Sequence, residues 1–97
     1  MAHKISAKLE LKNPLNDSQH LILARTVSML INEAHLMLEE GIADAESIDL
    51  ALRLGTNFPK GPLELSDSIG KYLIAEFLQS MRRTYSDAYR PSLMLSH

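Results

Sequence analysis

One uninterrupted helical pattern, over residues 18–40, is the feature that most limits how this 97-residue chain can fold. Asn16 or Asp17 can cap its start by accepting hydrogen bonds from free backbone N–H groups, and Gly41 tolerates the left-handed conformation that ends many helices. A helix of about 20 residues is about 30 Å long, which is the diameter of a small domain. We therefore predict a single all-α domain built around one long central helix.

Three shorter helices are predicted to pack on the long one. They cover residues 45–54, 62–69 and 71–85. Asp44 suits the cap position of the first, and Gly55 lies just past its end. Pro62 fits the first turn of the second helix, because backbone N–H groups there have no acceptor within the helix and proline has no N–H. Gly70 ends that helix. The proline and glycine within residues 56–61 predict a loop.

The segment before the long helix follows a different pattern. Residues 3–12 alternate loosely between apolar and polar side chains, a period that suits a short strand, and residues 13–16 contain breakers. A frayed tail, an extension of a helix and an edge strand that pairs with another copy all fit this pattern, and we favour the tail. The predicted division is an N-terminal tail or short extended segment over residues 1–16, followed by a helical domain over residues 17–97.

Composition argues against several classes of partner and chemistry. The net charge of -2 gives no summed positive field, so nucleic acid is not an expected partner. The apolar runs are far shorter than the roughly 20 residues of a spanning helix, so no membrane contact is expected. Cysteine is absent, which excludes disulfides and thiolate catalysis and fits a reducing cytoplasm.

The long helix carries apolar side chains on two of its faces. The broad face is predicted to meet the core and consists of Leu23, Val27, Leu30, Ile31, Ala34, Met37 and Leu38. A second, narrower stripe consists of Ile22, Met29 and Leu36, each seven residues from the next. One interpretation is that the chain's own short helices cover both faces. The other, on which the predicted contact site rests, is that the stripe meets a second protomer or another domain.

No pattern in the sequence indicates a catalytic, cofactor-binding or metal site. His20 and His35 lie roughly four turns apart on one helix, too far to share a metal ion. The two adjacent acids at the end of that helix point about 100° apart and are expected to be solvated. Arg82 and Arg83 suit a wet face near a helix C-terminus. The glycines are spaced as helix ends, without the Gly-x-Gly of a phosphate loop.

Several ordered segments resemble the C-terminal domain of 3-hydroxyacyl-CoA dehydrogenases in residue type and spacing, between about residues 17 and 95. They are Ile31-Asn32-Glu33-Ala34, Leu38-Glu39-Glu40-Gly41-Ile42-Ala43, Ile48-Asp49-Leu50-Ala51-Leu52-Arg53-Leu54-Gly55, Asn57-Phe58-Pro59-Lys60-Gly61-Pro62-Leu63-Glu64-Leu65, residues 67–70 and Tyr89-Arg90-Pro91-Ser92. The caps and loops predicted above follow the helix, loop, helix order of this family. The resemblance implies an all-α fold like the C-terminal domain of 6-phosphogluconate dehydrogenase.

The resemblance also implies a chemistry. Such enzymes oxidise the 3-hydroxyl of an acyl-CoA with NAD, using a Rossmann domain and a His–Glu pair that these 97 residues lack. Their helical domain supplies much of the dimer interface, closes over the acyl-CoA and offers an asparagine within a pattern like Gly-Phe-Ile-x-Asn-Arg. Here Ile22 and Arg25 agree with that pattern, whereas His20, Leu21 and Ala24 replace the Gly, Phe and Asn. Alanine can neither donate nor accept a hydrogen bond, so that contact with a substrate is lost.

These replacements resemble the degenerate second copy of the domain in multi-domain members, which packs against the first copy. We therefore expect a non-catalytic domain that forms a homodimer or docks on a dehydrogenase catalytic domain and completes its acyl-CoA cleft, with NAD bound only by the parent enzyme. The predicted contact residues are Ile22, Met29 and Leu36. Two other hypotheses are a fragment of an active dehydrogenase whose Rossmann domain lies upstream, and a stand-alone acyl-CoA-binding module.

Overall fold

The computed structural model describes residues 1–9 and 14–95, so the predicted strand end at Lys12 and the predicted breaker Asn13 lie outside the described residues. The described part forms five α-helices and no strand. They are α1 (Ala2–Ala7), α2 (Asp17–Glu39), α3 (Ala45–Thr56), α4 (Pro62–Ile69) and α5 (Lys71–Thr84), followed by single 3-10 turns over Asp87–Tyr89 and Leu93–Leu95. The predicted all-α fold around one long helix is confirmed, and α1 adds a fourth short helix to the three expected.

Both ends of α2 are stabilised by local hydrogen bonds. At its start, Asn16 Oδ1 accepts from the backbone N–H of Gln19 and Gln19 Oε1 accepts from the backbone N–H of Asn16, each at 2.9 Å. At its end, Gly41 has a left-handed backbone with φ of 71°, and Ile42 N–H donates to the carbonyl of Met37 at 3.0 Å. This pattern is a Schellman motif, which satisfies carbonyls that the last turn leaves free. The predicted cap residues are therefore confirmed.

The apolar core has two parts arranged along α2. The larger part joins α2 to α1, α4, α5 and the C-terminal turns, and its buried members are Ile5, Ala24, Val27, Ile31, Leu65, Ile69, Ile74, Phe77, Leu78, Met81, Tyr89 and Leu95. The smaller part lies near the C-terminal end of α2 and consists of Ala34, Ile48 and Leu63. Because α2 contributes to both parts, it holds the shorter helices in place around it.

The buried face of α2 differs from the predicted one. Val27, Ile31 and Ala34 are buried as expected, but the other predicted core residues, Leu23, Leu30, Met37 and Leu38, are only half-buried. Ser28, Asn32 and His35 are buried in their place. The prediction counted apolar side chains alone. Asn32 and His35 can be buried because both have hydrogen-bond partners, whereas the buried hydroxyl of Ser28 has none among the described residues.

The N-terminal prediction of a tail or extended segment is wrong for Ala2–Ala7, which form α1. Ile5 is fully buried in the main core, and Leu9 packs against it. Ile5 and Leu9 belong to the alternation predicted for residues 3–12, but they are four residues apart and, together with Ala2, also fit one face of a helix. Packing on α2 decides between the two patterns. The predicted division of the chain at residue 17 stays a prediction.

Two helix ends also refine the sequence interpretation. α3 continues past Leu54 to Thr56, so Gly55 lies inside the helix and the predicted end is two residues too early. Asn57 takes the left-handed position instead, with φ of 59°, because its short amide side chain tolerates this conformation. α4 begins at Pro62 and ends before Gly70, as predicted.

The length and apolar composition of α2 are also sufficient for a membrane span. The same properties belong to the central helix of a helical core, and this packing accounts for them here. Val27, Ile31 and Ala34 contact the chain's own helices, and Asn32 and His35 lie on the same buried side of α2. The contacts observed for α2 are therefore those of a core helix.

His35 gives this core a dependence on pH. Its ring is buried, with Nδ1 at 2.8 Å from the carbonyl of Ile31. Burial lowers the pKa of His35 from its ordinary value near 6.5; the positive charge of Lys71 adds to this effect, whereas the Ile31 carbonyl, Asp67 and Asp49 oppose it.

We expect the unfolding temperature to fall as the pH decreases from about 7 to about 5. In this window the unfolded chain takes up a proton at His35 before the folded chain does, so the stabilisation that is present above the unfolded pKa is lost as the pH falls towards the folded pKa. Thermal unfolding followed by circular dichroism across this range measures the slope. His35→Gln should flatten it, and an equal slope in the variant would contradict the assignment.

Candidate functional site

The middle of α2 is joined to the C-terminal segment through the side-chain amide of Asn32. Its Nδ2 donates to the carbonyl of Arg90 at 2.9 Å, and its Oδ1 accepts from the backbone N–H of Ser92 at 2.7 Å. Asn32 and Ser92 are both buried. Two of the sequence segments that carry the family resemblance therefore meet at this point, and their observed role is to hold the end of the chain on α2.

Arg25 makes a second connection to the same region. Its guanidinium donates a hydrogen bond to the hydroxyl of Tyr89, and its Cζ lies 5.3 Å from the ring centroids of both Tyr85 and Tyr89. A cation over an aromatic ring contributes about 0.5 to 1 kcal/mol at an exposed site. The sequence analysis identified Arg25 as a match to the family pattern but did not predict its tyrosine partners, which are 60 or more positions later in the chain.

Ala24 lies at the head of α2 and is fully buried. It belongs to the main core together with Ile5 of α1, and α1 packs against this part of α2, where the Ser6 hydroxyl donates to the carbonyl of His20 at 3.4 Å. Ala24 therefore presents no polar atom and no accessible surface to a ligand in this structure.

A glycine that precedes a helix N-terminus can hold the phosphates of a dinucleotide, and Gly61 at the start of α4 has this position. Here Asp49 of α3 occupies the place of the phosphates. Its Oδ1 accepts from the N–H of Leu63 at 2.7 Å and its Oδ2 accepts from the N–H of Glu64 at 3.2 Å. A carboxylate in this position repels a phosphate, so these residues do not fit NAD. Gly61 is required for packing, since a Cβ there would lie 2.5 Å from Asp49.

The three predicted contact residues differ in exposure. Ile22 is 64% exposed, whereas Met29 and Leu36 are half-buried. Met29 packs against the main core, so the chain's own helices cover part of the stripe. Ile22 is thus the member of the stripe that presents most surface to a partner.

The remaining charged candidates have ordinary surroundings. Arg82 forms an ion pair with Asp87 at 2.7 Å, and Lys71 lies 3.9 Å from Asp67. The two acids that end the long helix are exposed. Within residues 1–9 and 14–95, no group of three histidine or acidic side chains is arranged to hold a metal ion.

Comparison with known proteins decides the family. The sequence profile described as "3-hydroxyacyl-CoA dehydrogenase, C-terminal domain" matches residues 21–97, which is most of the chain. The chain belongs to this family. As a 3-hydroxyacyl-CoA dehydrogenase C-terminal domain, it starts its match at the head of α2, so α1 lies outside the part that the profile covers.

Curated relatives of this domain are dehydrogenases of acyl-CoA compounds. The chain is 39% identical over 80 residues to 3-hydroxyadipyl-CoA dehydrogenase of Escherichia coli (strain K12), covering 81% of the chain and 17% of that enzyme. It is also 39% identical over 80 residues to 3-hydroxybutyryl-CoA dehydrogenase of Bradyrhizobium diazoefficiens, covering 81% and 27%. The mitochondrial hydroxyacyl-coenzyme A dehydrogenase of Homo sapiens is 38% identical over 61 residues, covering 61% and 19%. The chain therefore spans about a quarter or less of these three relatives.

Proposed function

We propose that this chain is a non-catalytic helical domain that docks on the cofactor-binding catalytic domain of a 3-hydroxyacyl-CoA dehydrogenase and completes its acyl-CoA cleft. The burial of Ala24 carries the proposal. Where the family pattern has an asparagine near the substrate, this chain has a methyl group inside its own core. A side chain without polar atoms cannot orient a reacting group, so the role that fits this domain is structural.

The exposed side chain of Ile22 supports a contact at the head of α2. It points away from the buried Ala24, which is two residues later on the helix, and its exposed fraction of 64% is high for a large apolar residue beside a packed core. An apolar side chain of this kind gains free energy when a partner removes it from water.

The relatives support a role in acyl-CoA metabolism. The chain covers at most 27% of the Escherichia coli and Bradyrhizobium enzymes, so most of each relative consists of other parts. We assign NAD binding and oxidation of the 3-hydroxyl to those parts of the parent enzyme. A cytoplasmic location stays a prediction, since the human relative is named as mitochondrial.

Replacing Ile22 with glutamate should weaken docking about tenfold or more, because a charge would have to leave water at the contact. The binding partner is the Bacillus subtilis relative, which is 35% identical over 82 residues, prepared without its own C-terminal domain. Isothermal titration calorimetry measures the affinity of the wild-type chain and of the variant. Leu54→Glu, on an exposed part of α3, is the matched control and should bind like the wild type. Equal affinities for the Ile22 variant and the wild type would refute this contact.

A further inference from the structure

A groove of about 530 Å³ lies between the end of α1 and α4. Its lining comes from four parts of the chain: the end of α1 with the residues just after it, the head of α2, the loop before α4, and α4 itself. The lining residues are Ala7, Lys8, Leu9, Leu23, Phe58, Pro59, Lys60, Leu65 and Ser68. Small-molecule sites in proteins have volumes of about 300 to 1,000 Å³, so the groove is large enough for a small organic ligand.

Most of the lining side chains are apolar. Leu65 is buried, whereas Leu9, Leu23 and Phe58 are half-buried, so part of each of these three residues remains accessible. Leu65 belongs to the main core, and Leu9 and Leu23 pack against it. Because the core fixes these side chains, the apolar surface is present before any ligand binds. An apolar chain that covers this surface gains free energy by leaving water.

The charged residues that line the groove are both lysines. Lys8 follows α1 and Lys60 lies in the loop before α4, and no acid is among the described residues of the lining. Neither lysine forms an ion pair with another described residue. The Nζ of Lys60 donates to the Oγ of Ser68 at 3.1 Å, which holds this ammonium beside α4. The groove therefore combines an apolar surface with two cations that have no acidic partner, although the whole chain has a net charge of -2.

We propose that this groove binds a small carboxylate that carries an apolar chain of several carbons. The carboxylate pairs with the ammonium groups of Lys8 and Lys60, and the chain covers the accessible parts of Leu9, Leu23 and Phe58. Hydrogen bonds between an ammonium and a carboxylate are about twice as strong as those between neutral groups. Both halves of such a ligand therefore have a partner in the groove.

The lining disfavours other classes of ligand. A cationic ligand would be repelled by both lysines, and a small inorganic anion would leave the apolar surface in water. An anionic membrane surface is also disfavoured, because segments that bind such surfaces carry clusters of about four to eight basic residues and only two line this groove. A ligand with one negative end and one apolar end is the class that remains.

One wall of the groove lies outside the part of the chain that the family profile matches. The match starts at residue 21, whereas Ala7, Lys8 and Leu9 precede it. The proposed ligand is also chemically distinct from an acyl-CoA, since the acyl carbon of a thioester carries no charge. The inference concerns the free chain and does not depend on docking at Ile22.

An NMR titration of the isotope-labelled full chain with octanoate tests the proposal. Octanoate should shift the backbone amide signals of Leu9, Leu23 and Ser68 until they saturate, with a dissociation constant of about 0.1 to 1 mM. Acetate, which lacks the apolar chain, and octylammonium, which carries the opposite charge, should each bind about tenfold more weakly. Octanoyl-CoA should also bind more weakly than octanoate, because its thioester has no charge beside the chain.

Variants of the two lysines test the charged half of the groove. Lys8→Gln and Lys60→Gln should each raise the dissociation constant for octanoate about threefold to tenfold, and the double variant should raise it further. Lys4→Gln is the matched control, since Lys4 is exposed on α1 and does not line the groove. It changes the net charge by the same amount and should bind octanoate like the wild type. Circular dichroism of each variant checks that the fold is retained.

Four results would overturn the inference. They are an absence of saturable shifts with octanoate at millimolar concentrations, octylammonium binding as tightly as octanoate, a Lys4→Gln variant weakened as much as the lining variants, and octanoyl-CoA binding more tightly than octanoate with no effect of Lys8→Gln or Lys60→Gln. Calorimetric docking on the catalytic domain is a separate measurement, so its failure leaves the result for the groove unaffected.

Discussion

Replacing Asn32 with leucine should lower the free energy of unfolding by about 2 to 4 kcal/mol. The amide of Asn32 satisfies the carbonyl of Arg90 and the N–H of Ser92 across 58 and 60 positions of sequence, and leucine of similar size satisfies neither. A backbone group left without a partner after burial costs about 1 to 3 kcal/mol. Arg90 is exposed whereas Ser92 is buried, so water can partly replace the hydrogen bond that the Arg90 carbonyl loses. The total loss of stability is therefore smaller than two full penalties.

Urea unfolding followed by circular dichroism measures this loss, and amide hydrogen exchange locates it. The N–H of Ser92 should exchange much faster in the variant, because the side chain that accepts its hydrogen bond is gone. Thr26→Ala on the exposed side of the same helix is the control and should change stability by less than about 1 kcal/mol. An unchanged unfolding midpoint for Asn32→Leu would show that this amide does not hold the C-terminal segment.

Gly61→Ala should destabilise the chain by about 2 to 4 kcal/mol, although one methyl group is added. The new Cβ would lie 2.5 Å from the Cβ, Cγ and Oδ1 atoms of Asp49. Rotating the carboxylate cannot relieve the contact with the Cβ of Asp49, so α3 and α4 must move apart, which strains the packing by about 1 to 3 kcal/mol and also weakens a cap of α4 that contributes about 0.5 to 2 kcal/mol. The backbone of Gly61 has φ of -74°, which alanine adopts readily, so the clash is the source of the effect.

A double-variant cycle tests that explanation. In an Asp49→Gly background the obstructing side chain is absent, and Gly61→Ala should then be nearly neutral. Asp49→Gly alone is also destabilising, because it removes the cap of α4 and places a glycine inside α3. Urea unfolding of the four proteins measures the coupling between the two positions. If Gly61→Ala costs the same free energy in both backgrounds, contact with Asp49 is not the cause.

The parts of the fold that depend only on residues close together in the sequence could be predicted from it. Asn16, Gly41 and Pro62 set helix ends through bonds or restrictions that extend only a few positions along the chain. The structure of α1 could not be predicted, because Ile5 and Leu9 fit both a strand and a helix until α2 supplies a surface to pack on. Local chemistry decided the first group, and tertiary contact decided the second.

The candidate site shows the same limit. The repeat of Ile22, Met29 and Leu36 is visible in sequence, but their exposure depends on where the other helices lie, and Met29 is half-buried against the chain's own core. Leu50 and Leu54 of α3 were given no role from sequence, and their exposure of 47% and 72% follows from the packing of Ile48 in the smaller core.

The connection between Asn32 and the segment around Ser92 also determines when the domain can fold during synthesis. Leu95 is buried in the same core, so α2 acquires its last neighbours only after the segment up to Leu95 has left the ribosome. Until then the apolar side of α2 is accessible to chaperones and to other nascent chains. A nascent chain that ends before Tyr89 would therefore display an incomplete core.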